Sequence, residues 1–225
     1  MHLDVRTGHT GDGSRIPDAA WSGTASSVSP MTATTTLDWT TELLDQLRFH
    51  WDTALRPRLA GLTDDEYHWE PVPGAWGVRP RAEATSAYAA GAGDMVIDFA
   101  FPPPDPEPVT TIAWRLGHVI VGVFGMRVAS HFGGPATDYG SFEYAATAAG
   151  ALDQLDEQYR RWTDGVAALG DAGLARPCGP AEGPYADKPL ATLVLHIHRE
   201  VIHHGAEIAL LRDLYRARPA GDPLR

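Results

Sequence analysis

The 225-residue chain is acidic, with a formal net charge of −11 and a pI of about 5.2, and it contains one cysteine, Cys178. The charge argues against a nucleic-acid partner or an anionic membrane surface, since both require a basic patch, and a lone cysteine excludes an intrachain disulfide. No apolar run approaches the roughly 18 residues of a membrane span and the N-terminus has no apolar signal core, so we expect a cytoplasmic protein with one substantial core.

The first 36 residues differ from the rest of the chain. They are rich in Ser, Thr and Gly, hold few large apolar residues and show no period. Such a segment cannot bury enough surface to offset its ordering entropy, so residues 1–36 are predicted to form a disordered N-terminal extension. Met31 is hypothesised to be the translation start in place of Met1. The folded domain is predicted over residues 37–218, with 219–225 as a short tail.

The first helix is predicted over residues 37–56, and Pro57 should end or kink it. His50 sits one turn after Leu47. It is predicted to be a hydrogen-bonded histidine at the core edge, and a role at a metal, as a ligand or beside one, is the alternative. The apolar stripe of this helix has helical spacing and consists of Leu43, Leu44, Leu47, Trp51 and Leu55.

A long link follows the first helix. Thr63 and Glu66 form a capping box, which predicts a short helical turn over residues 63–68. Residues 77–108 are rich in small residues and proline, and a connection this long usually forms a lid or a binding loop. A short helix or strand-like piece is expected within it, around residues 94–100.

The second helix is predicted from Thr110 or Thr111 to about residue 132. Glycines are unfavourable inside a helix by roughly 1 kcal/mol each, so the glycines of this segment indicate close approach of another backbone or of a ligand. His118 lies among them. Taken alone, it is more often a satisfied core histidine than a ligand. The glycines are Gly117, Gly122 and Gly125.

Two more helices are predicted, over residues 144–169 and from Pro189 to about residue 216. No convincing strand pattern is present, and the link between the second and third helices is short. These four helices predict an all-α fold, namely an antiparallel four-helix bundle with a long connection between its first two helices. Bundles place metal sites on inward faces of facing helices.

The last helix carries a row of metal-binding side chains. His196, Glu200 and His204 are four residues apart and share one face, with Glu207 one turn further on. A carboxylate between two imidazoles is costly to bury unless its charge is compensated. A divalent ion, zinc, nickel, iron or manganese, would compensate it. His203 is offset by about 100° from His204, so it should point sideways, as an orienting neighbour or toward the first helix.

Two helices together supply a candidate ligand set, with His118 from the second helix and Glu200 and His204 from the last. Three such ligands leave an open coordination position, which is typical of catalytic zinc sites. His196 is equally in register and remains a rival. His198 is expected to be exposed.

Several motifs resemble the DinB-like superfamily, in particular its actinobacterial members, over roughly residues 37–216. The last two motifs together are fairly specific. The resemblance implies a DinB/YfiT-like four-helix bundle with a divalent metal held by one histidine of the second helix and two residues of the last, here His118, Glu200 and His204. The motifs are Trp51, Leu55-Arg-Pro-Arg-Leu-Ala-Gly-Leu-Thr-Asp-Asp-Glu66, Trp69-Glu-Pro-Val-Pro, Trp76, Thr110-Thr-Ile-Ala-Trp-Arg-Leu-Gly-His118 and Arg199-Glu-Val-Ile-His-His-Gly-Ala-Glu207.

The family also includes mycothiol-dependent maleylpyruvate isomerase, whose middle ligand is a glutamate and whose C-terminal domain this sequence lacks. The resemblance implies a metal-dependent thiol S-transferase that joins mycothiol or a similar thiol to a small electrophile, which would enter beside the 77–108 loop. Glu207 or His203 would orient the ligands. Cys178, in a Pro/Gly-rich loop, is not expected to be the nucleophile.

Two other interpretations stay open. The chain could be a non-catalytic metal-binding protein of the stress response, or its histidine row could be a hydrogen-bonded core network without metal. A homodimer through an outer helix face is compatible with the predicted bundle, although no particular residue indicates it.

Overall fold

The computed structural model describes residues 37–84, 86, 88–102 and 104–219, and over these residues the chain is mostly helical. The predicted extension 1–36, the Met31 start and the end of the predicted tail lie outside the described residues. In chain order the elements are α1 (39–58), α2 (Asp64–His68), β1 (Val78–Pro80), a 3-10 turn (Arg81–Glu83), β2 (Met95–Ile97), α3 (112–132), α4 (Ala148–Ala167), α5 (Gly170–Leu174), a 3-10 segment (Pro180–Tyr185) and α6 (Leu190–Ala217).

Two of the long helices contain a π-helical stretch. α1 consists of Trp39–His50, the π-helical Trp51–Leu55 and Arg56–Arg58. α3 consists of Ile112–His118, the π-helical Val119–Gly125 and Met126–Phe132. Such stretches are rare and frequently occur at functional sites, and the one in α3 begins directly after His118.

Local signals set the helix starts close to their predicted places. The capping box is present, because Thr63 accepts from the backbone N–H of Glu66 while the Glu66 carboxylate accepts from the N–H of Thr63. α4 begins at Ala148, later than the predicted start near residue 144. The reason is Thr147, whose side chain caps the helix by accepting from the N–H of Gly150.

A small antiparallel sheet, absent from the prediction, lies in the link between α1 and α3. β1 pairs with β2, with Val78 opposite Ile97. Each strand has three residues, too few to produce a recognisable alternation in the sequence. Of the two alternatives expected around residues 94–100, a short helix or a strand-like piece, the structure has the strand, β2.

The first and last long helices run in the same direction. Leu55 of α1 packs against Gly205 of α6, and Arg58 reaches Asp213 further along. The expectation of an antiparallel order throughout the helices is therefore wrong for this pair.

α3 and α4 also run in the same direction. The ring of Phe124 lies beside Tyr159, with centroids 6.4 Å apart, and Phe132 lies against Gly165. The link 133–147 must therefore return along the length of α3, about 30 Å at 1.5 Å per residue. At roughly 3.3 Å per extended residue the segment can span that length. It is a crossover and not the short loop that was expected.

The glycines of α3 make room for this crossover. A Cβ atom on Gly122 would overlap the Tyr139 hydroxyl, and one on Gly125 would lie 2.9 Å from Cγ2 of Thr137. Both partners belong to the crossover segment. The glycines were predicted to mark the close approach of another backbone or of a ligand, whereas at Gly122 and Gly125 the neighbours from the crossover are the side chains of Tyr139 and Thr137.

α3 is long and apolar enough, by length and composition, to cross a membrane, which corrects the expectation that no such run exists. Arg115 and His118 interrupt the run in the sequence. Of its most apolar stretch, 67% is buried within the protein. This degree of burial is typical of a core helix that packs against other helices.

His198 is buried, contrary to the prediction that it is exposed. Its ring lies 6.2 Å from that of Trp162 in α4, at an angle of 80°. The sequence was misleading because α6 is apolar on its outer side as well, where Leu195 and Ile202 are exposed.

A buried ion pair joins the end of α6 to the start of α2. Arg212 donates to both carboxylate oxygens of Glu66, at 3.1 and 2.9 Å, and also to the carbonyl oxygens of Arg58 and Ala60. The two charged side chains are only 1% and 4% exposed. Arg212 therefore fastens α6 to the turn that follows α1.

Candidate metal centre

The antiparallel packing of α3 against α6 brings His118 to His204. Their rings meet edge to face, with centroids 4.7 Å apart and planes at 88°. Glu200 precedes His204 by one turn, and its Oε2 lies 3.6 Å from Nε2 of His204. His204 thus contacts both of its predicted partners.

His204 is oriented by a carboxylate. Its Nδ1 lies 2.7 Å from Oε2 of Glu207. An N–H at Nδ1 donates to that carboxylate, which leaves the lone pair on Nε2, the nitrogen that faces Glu200. A carboxylate behind a histidine is the usual arrangement by which proteins fix the tautomer of a metal ligand. The expected orienting role of Glu207 agrees with this contact.

His118 is oriented by the crossover segment. Its Nδ1 lies 2.6 Å from the hydroxyl of Tyr139. When the Nδ1 proton is donated to that oxygen, Nε2 keeps its lone pair. Burial, followed by the neighbouring His204 and Arg115, lowers the pKa of His118 to about 4. The imidazole is therefore neutral near pH 7, as a metal ligand must be.

Two residues of this centre were not predicted from the sequence. Tyr139 has no sequence signal, because the course of the crossover decides its position. Arg115 lies one turn before His118 on α3, and this spacing could have revealed it. Its Nη1 is 3.2 Å from Oε2 of Glu207 and 3.5 Å from Nδ1 of His204. The guanidinium balances the charge of the orienting carboxylate.

The group of possible metal ligands whose donor atoms meet in the structure overlaps the predicted set but is not identical to it. Among the described residues, ligand atoms of His203, His204 and Glu207 all lie within 4.8 Å of one another. His203 is 62% exposed on its side chain, and its Nε2 is 3.5 Å from Oε1 of Glu207. This group belongs to α6 alone and shares His204 with the predicted set.

The other candidates have different partners. Nδ1 of His196 lies 2.6 Å from Nη2 of Arg199 and 3.3 Å from Oε1 of Glu200. His50 lies against Gly205, and burial lowers its pKa. Its Nε2 is buried without a hydrogen-bond partner among the described residues, so the hydrogen bond expected for it is not formed by this atom.

The donor set fits a divalent transition metal. His118, His204 and Glu200 offer two imidazole nitrogens and one carboxylate oxygen, which suit zinc, nickel, iron or manganese. Each imidazole also has its other nitrogen engaged by a hydrogen-bond partner. The ligand set stays a prediction, with the α6 group as its competitor.

A family model described as the DinB superfamily matches residues 46–208. This range includes all of the motifs on which the resemblance depends, from Trp51 to Glu207. No curated protein and no solved structure matches the chain.

Proposed function

The chain belongs to the DinB superfamily, and from this premise we propose that it is a divalent-metal-dependent thiol S-transferase for small electrophiles. In this proposal His118, Glu200 and His204 hold the ion within a four-helix bundle of the DinB/YfiT type. Zinc is the first candidate. The observation that carries the proposal is the pair of oriented imidazoles, since each has its Nδ1 hydrogen-bonded and its Nε2 left for coordination.

An ion bound there would lower the pKa of a coordinated thiol and so favour the nucleophilic thiolate at neutral pH. The protein's own residues hold the ligands in place. Tyr139 fixes the ring of His118, and Glu207 fixes that of His204. Arg115 sits beside Glu207 and balances its negative charge.

The nucleophile in this proposal is an external thiol, with mycothiol as the first candidate. Cys178 is 8% exposed, its Sγ donates to the carbonyl oxygen of Pro189, and burial raises the pKa of its thiol. These properties suit a structural cysteine. In the transfer, the external thiol gives its proton to solvent and its sulfur lone pair forms the carbon–sulfur bond. The leaving group departs with the electron pair of the bond that breaks.

The alternative is a metal-binding protein without turnover, of the stress-response kind. The group His203, His204 and Glu207 favours it, because a metal held there would sit on one helix beside an exposed histidine. The two proposals therefore differ in whether His118 or His203 is a ligand.

The test begins with the metal content of natively purified protein and the rise in melting temperature on addition of zinc or nickel. We expect His118→Ala to lose most of the metal affinity, while His203→Ala and His196→Ala, the matched histidine controls on α6, lose much less. Conjugation of mycothiol to monochlorobimane then measures transfer, which Glu200→Gln should abolish. The opposite ranking of His118 and His203 supports the α6 group, and metal binding without conjugation supports the alternative.

A further inference from the structure

Four aromatic side chains flank His118 and form, with it, a row of five rings. Trp114 lies 5.5 Å from His118 between centroids, and Trp76 lies 6.2 Å beyond Trp114. On the other side Tyr139 lies 6.4 Å from His118, and Phe99 lies 5.9 Å beyond Tyr139. We call these five side chains the aromatic row.

The central rings of the aromatic row share one orientation. The plane of His118 makes angles of 13° with that of Trp114 and 15° with that of Tyr139, and Phe99 is tilted by 28° from Tyr139. Aromatic rings prefer offset-stacked or edge-to-face neighbours. Trp76, at the end of the row, is tilted by 40° from Trp114, but the three central rings are nearly parallel and therefore favour a flat molecule over a globular one.

Hydrogen bonds fix the aromatic row before any ligand arrives. The indole N–H of Trp114 donates to the carbonyl oxygen of Asp98 at 2.8 Å. The backbone of Trp76 is bonded on both sides, to Val109 and to Thr111. The ring of Trp114 and the backbone that carries Trp76 are therefore held in place before a ligand binds, which lowers the ordering cost of binding.

The rings of the row are only half-buried, unlike the aromatic residues of the core. Trp51, Phe124 and Trp162 are at most 4% exposed, whereas every ring of the aromatic row retains intermediate exposure. The polar N–H of Trp114 is already used, so the exposed part of that indole is mainly carbon. Small-molecule sites are lined mainly by hydrophobic and aromatic side chains with a few polar groups, and the aromatic row offers such side chains beside the candidate metal ligands.

The charges around the row disfavour an anionic ligand. Glu200 and Glu207 lie beside His204, and the guanidinium of Arg115 is already paired with Glu207. The same guanidinium is 5.4 Å from the ring centroid of Trp114. It can donate to an uncharged oxygen, such as that of a nitro or carbonyl group, on a ligand that lies along the row.

We propose that the aromatic row is the binding surface for the electrophile and that it selects uncharged, planar aryl compounds that carry an electron-withdrawing oxygen group. This inference rests on the proposed function, because the ligand is called an electrophile only if thiol transfer takes place. The binding of such a ligand can be measured without any transfer.

The test uses the full chain and two unreactive probes of similar size, planar nitrobenzene and non-planar nitrocyclohexane. Titrations are followed by the indole N–H resonances of the ¹⁵N-labelled protein. Nitrobenzene should shift the resonances of Trp76 and Trp114 and bind at least several-fold more tightly than nitrocyclohexane. Trp39, which is 56% exposed on α1, should not respond beyond a nonspecific drift.

Variants at the ends of the row leave the contacts of His118 in place. Trp76→Leu should weaken nitrobenzene binding about 2- to 10-fold, the range of one aromatic contact, and Phe99→Leu provides a second variant should the first fold poorly. Trp39→Leu is the matched control and should leave the affinity unchanged. Equal affinity for the two probes, or unchanged affinity in both end variants, would overturn the inference.

The outcome is separable from that of the proposed function. If the protein prefers nitrobenzene over nitrocyclohexane but binds no metal, the aromatic row is supported as a ligand surface and the metal-dependent transfer is refuted. If the protein binds metal and conjugates the thiol but shows no preference for the planar probe, the proposed transferase function is supported and the proposed role of the aromatic row is refuted.

Discussion

Removal of the Tyr139 hydroxyl is the sharpest test of the candidate centre. The hydroxyl lies 2.6 Å from Nδ1 of His118, which Tyr139→Phe would leave without its partner. An unpaired buried polar group costs about 1–3 kcal/mol. Loss of a residue that orients a metal ligand typically lowers affinity about 10–100-fold, or roughly 1.4–2.7 kcal/mol. The first figure is the expected loss of stability and the second the expected loss of metal binding, so we expect zinc or nickel affinity to fall by about 10–100-fold.

The assay is a competition titration against a chromophoric chelator, with circular dichroism to verify the fold. Gly122→Ala should give the same loss by a different route, since a Cβ there would overlap the Tyr139 hydroxyl. Tyr159→Phe is the matched control, because Tyr159 stacks on Trp51 of α1, which carries none of the candidate ligands. Full metal affinity in Tyr139→Phe, together with its loss in His118→Ala, would refute the orienting role of the hydroxyl.

Two further predictions concern stability. Arg212→Ala removes the buried partner of Glu66 and leaves its carboxylate with the exposed Arg216, at 3.3 Å, as its cationic partner. Urea denaturation should therefore show a loss in the free energy of unfolding near the lower end of about 3–5 kcal/mol, and a loss below about 1 kcal/mol would contradict the structure. Burial lowers the pKa of His198 from 6.5 to about 4, so between these pH values the unfolded chain binds more protons than the folded protein. The free energy of unfolding should therefore fall as the pH drops through that window, by about 2 kcal/mol at pH 5. Because His118 adds a similar dependence, the measured quantity is the difference between the parent protein and His198→Leu in the slope of stability against pH. The variant should have the shallower slope, and identical slopes would show that His198 titrates normally.

Helix bounds and caps were predictable because they depend on neighbouring residues. The box of Thr63 and Glu66 and the start of α3 at Thr111 are both confirmed. The row of His196, Glu200 and His204 was also readable, since it follows from four-residue spacing alone. Local periodicity gives the side of a helix on which a residue lies, and these predictions required nothing more.

Other features depend on contacts between distant parts of the chain. His198 faces Trp162 of α4, and periodicity could not show this on a helix that also exposes Leu195 and Ile202. The position of Tyr139 depends on the route of the crossover, which was itself expected to be a short loop. The parallel direction of α3 and α4 requires that route, and no local pattern specifies it.

The division of the centre between helices and links has a chemical consequence. The candidate ligands His118, Glu200 and His204 lie on α3 and α6, which are rigid and deeply packed. The rings that would meet an electrophile include His118 and Trp114 of α3, but the other three come from links. Trp76 and Phe99 lie in the link before α3 and Tyr139 in the link after it. Links vary more readily than the helices that they join. Two chains with the same three ligands can therefore hold the same ion and yet bind different electrophiles, so the substrate has to be inferred from the aromatic row and not from the ligand set.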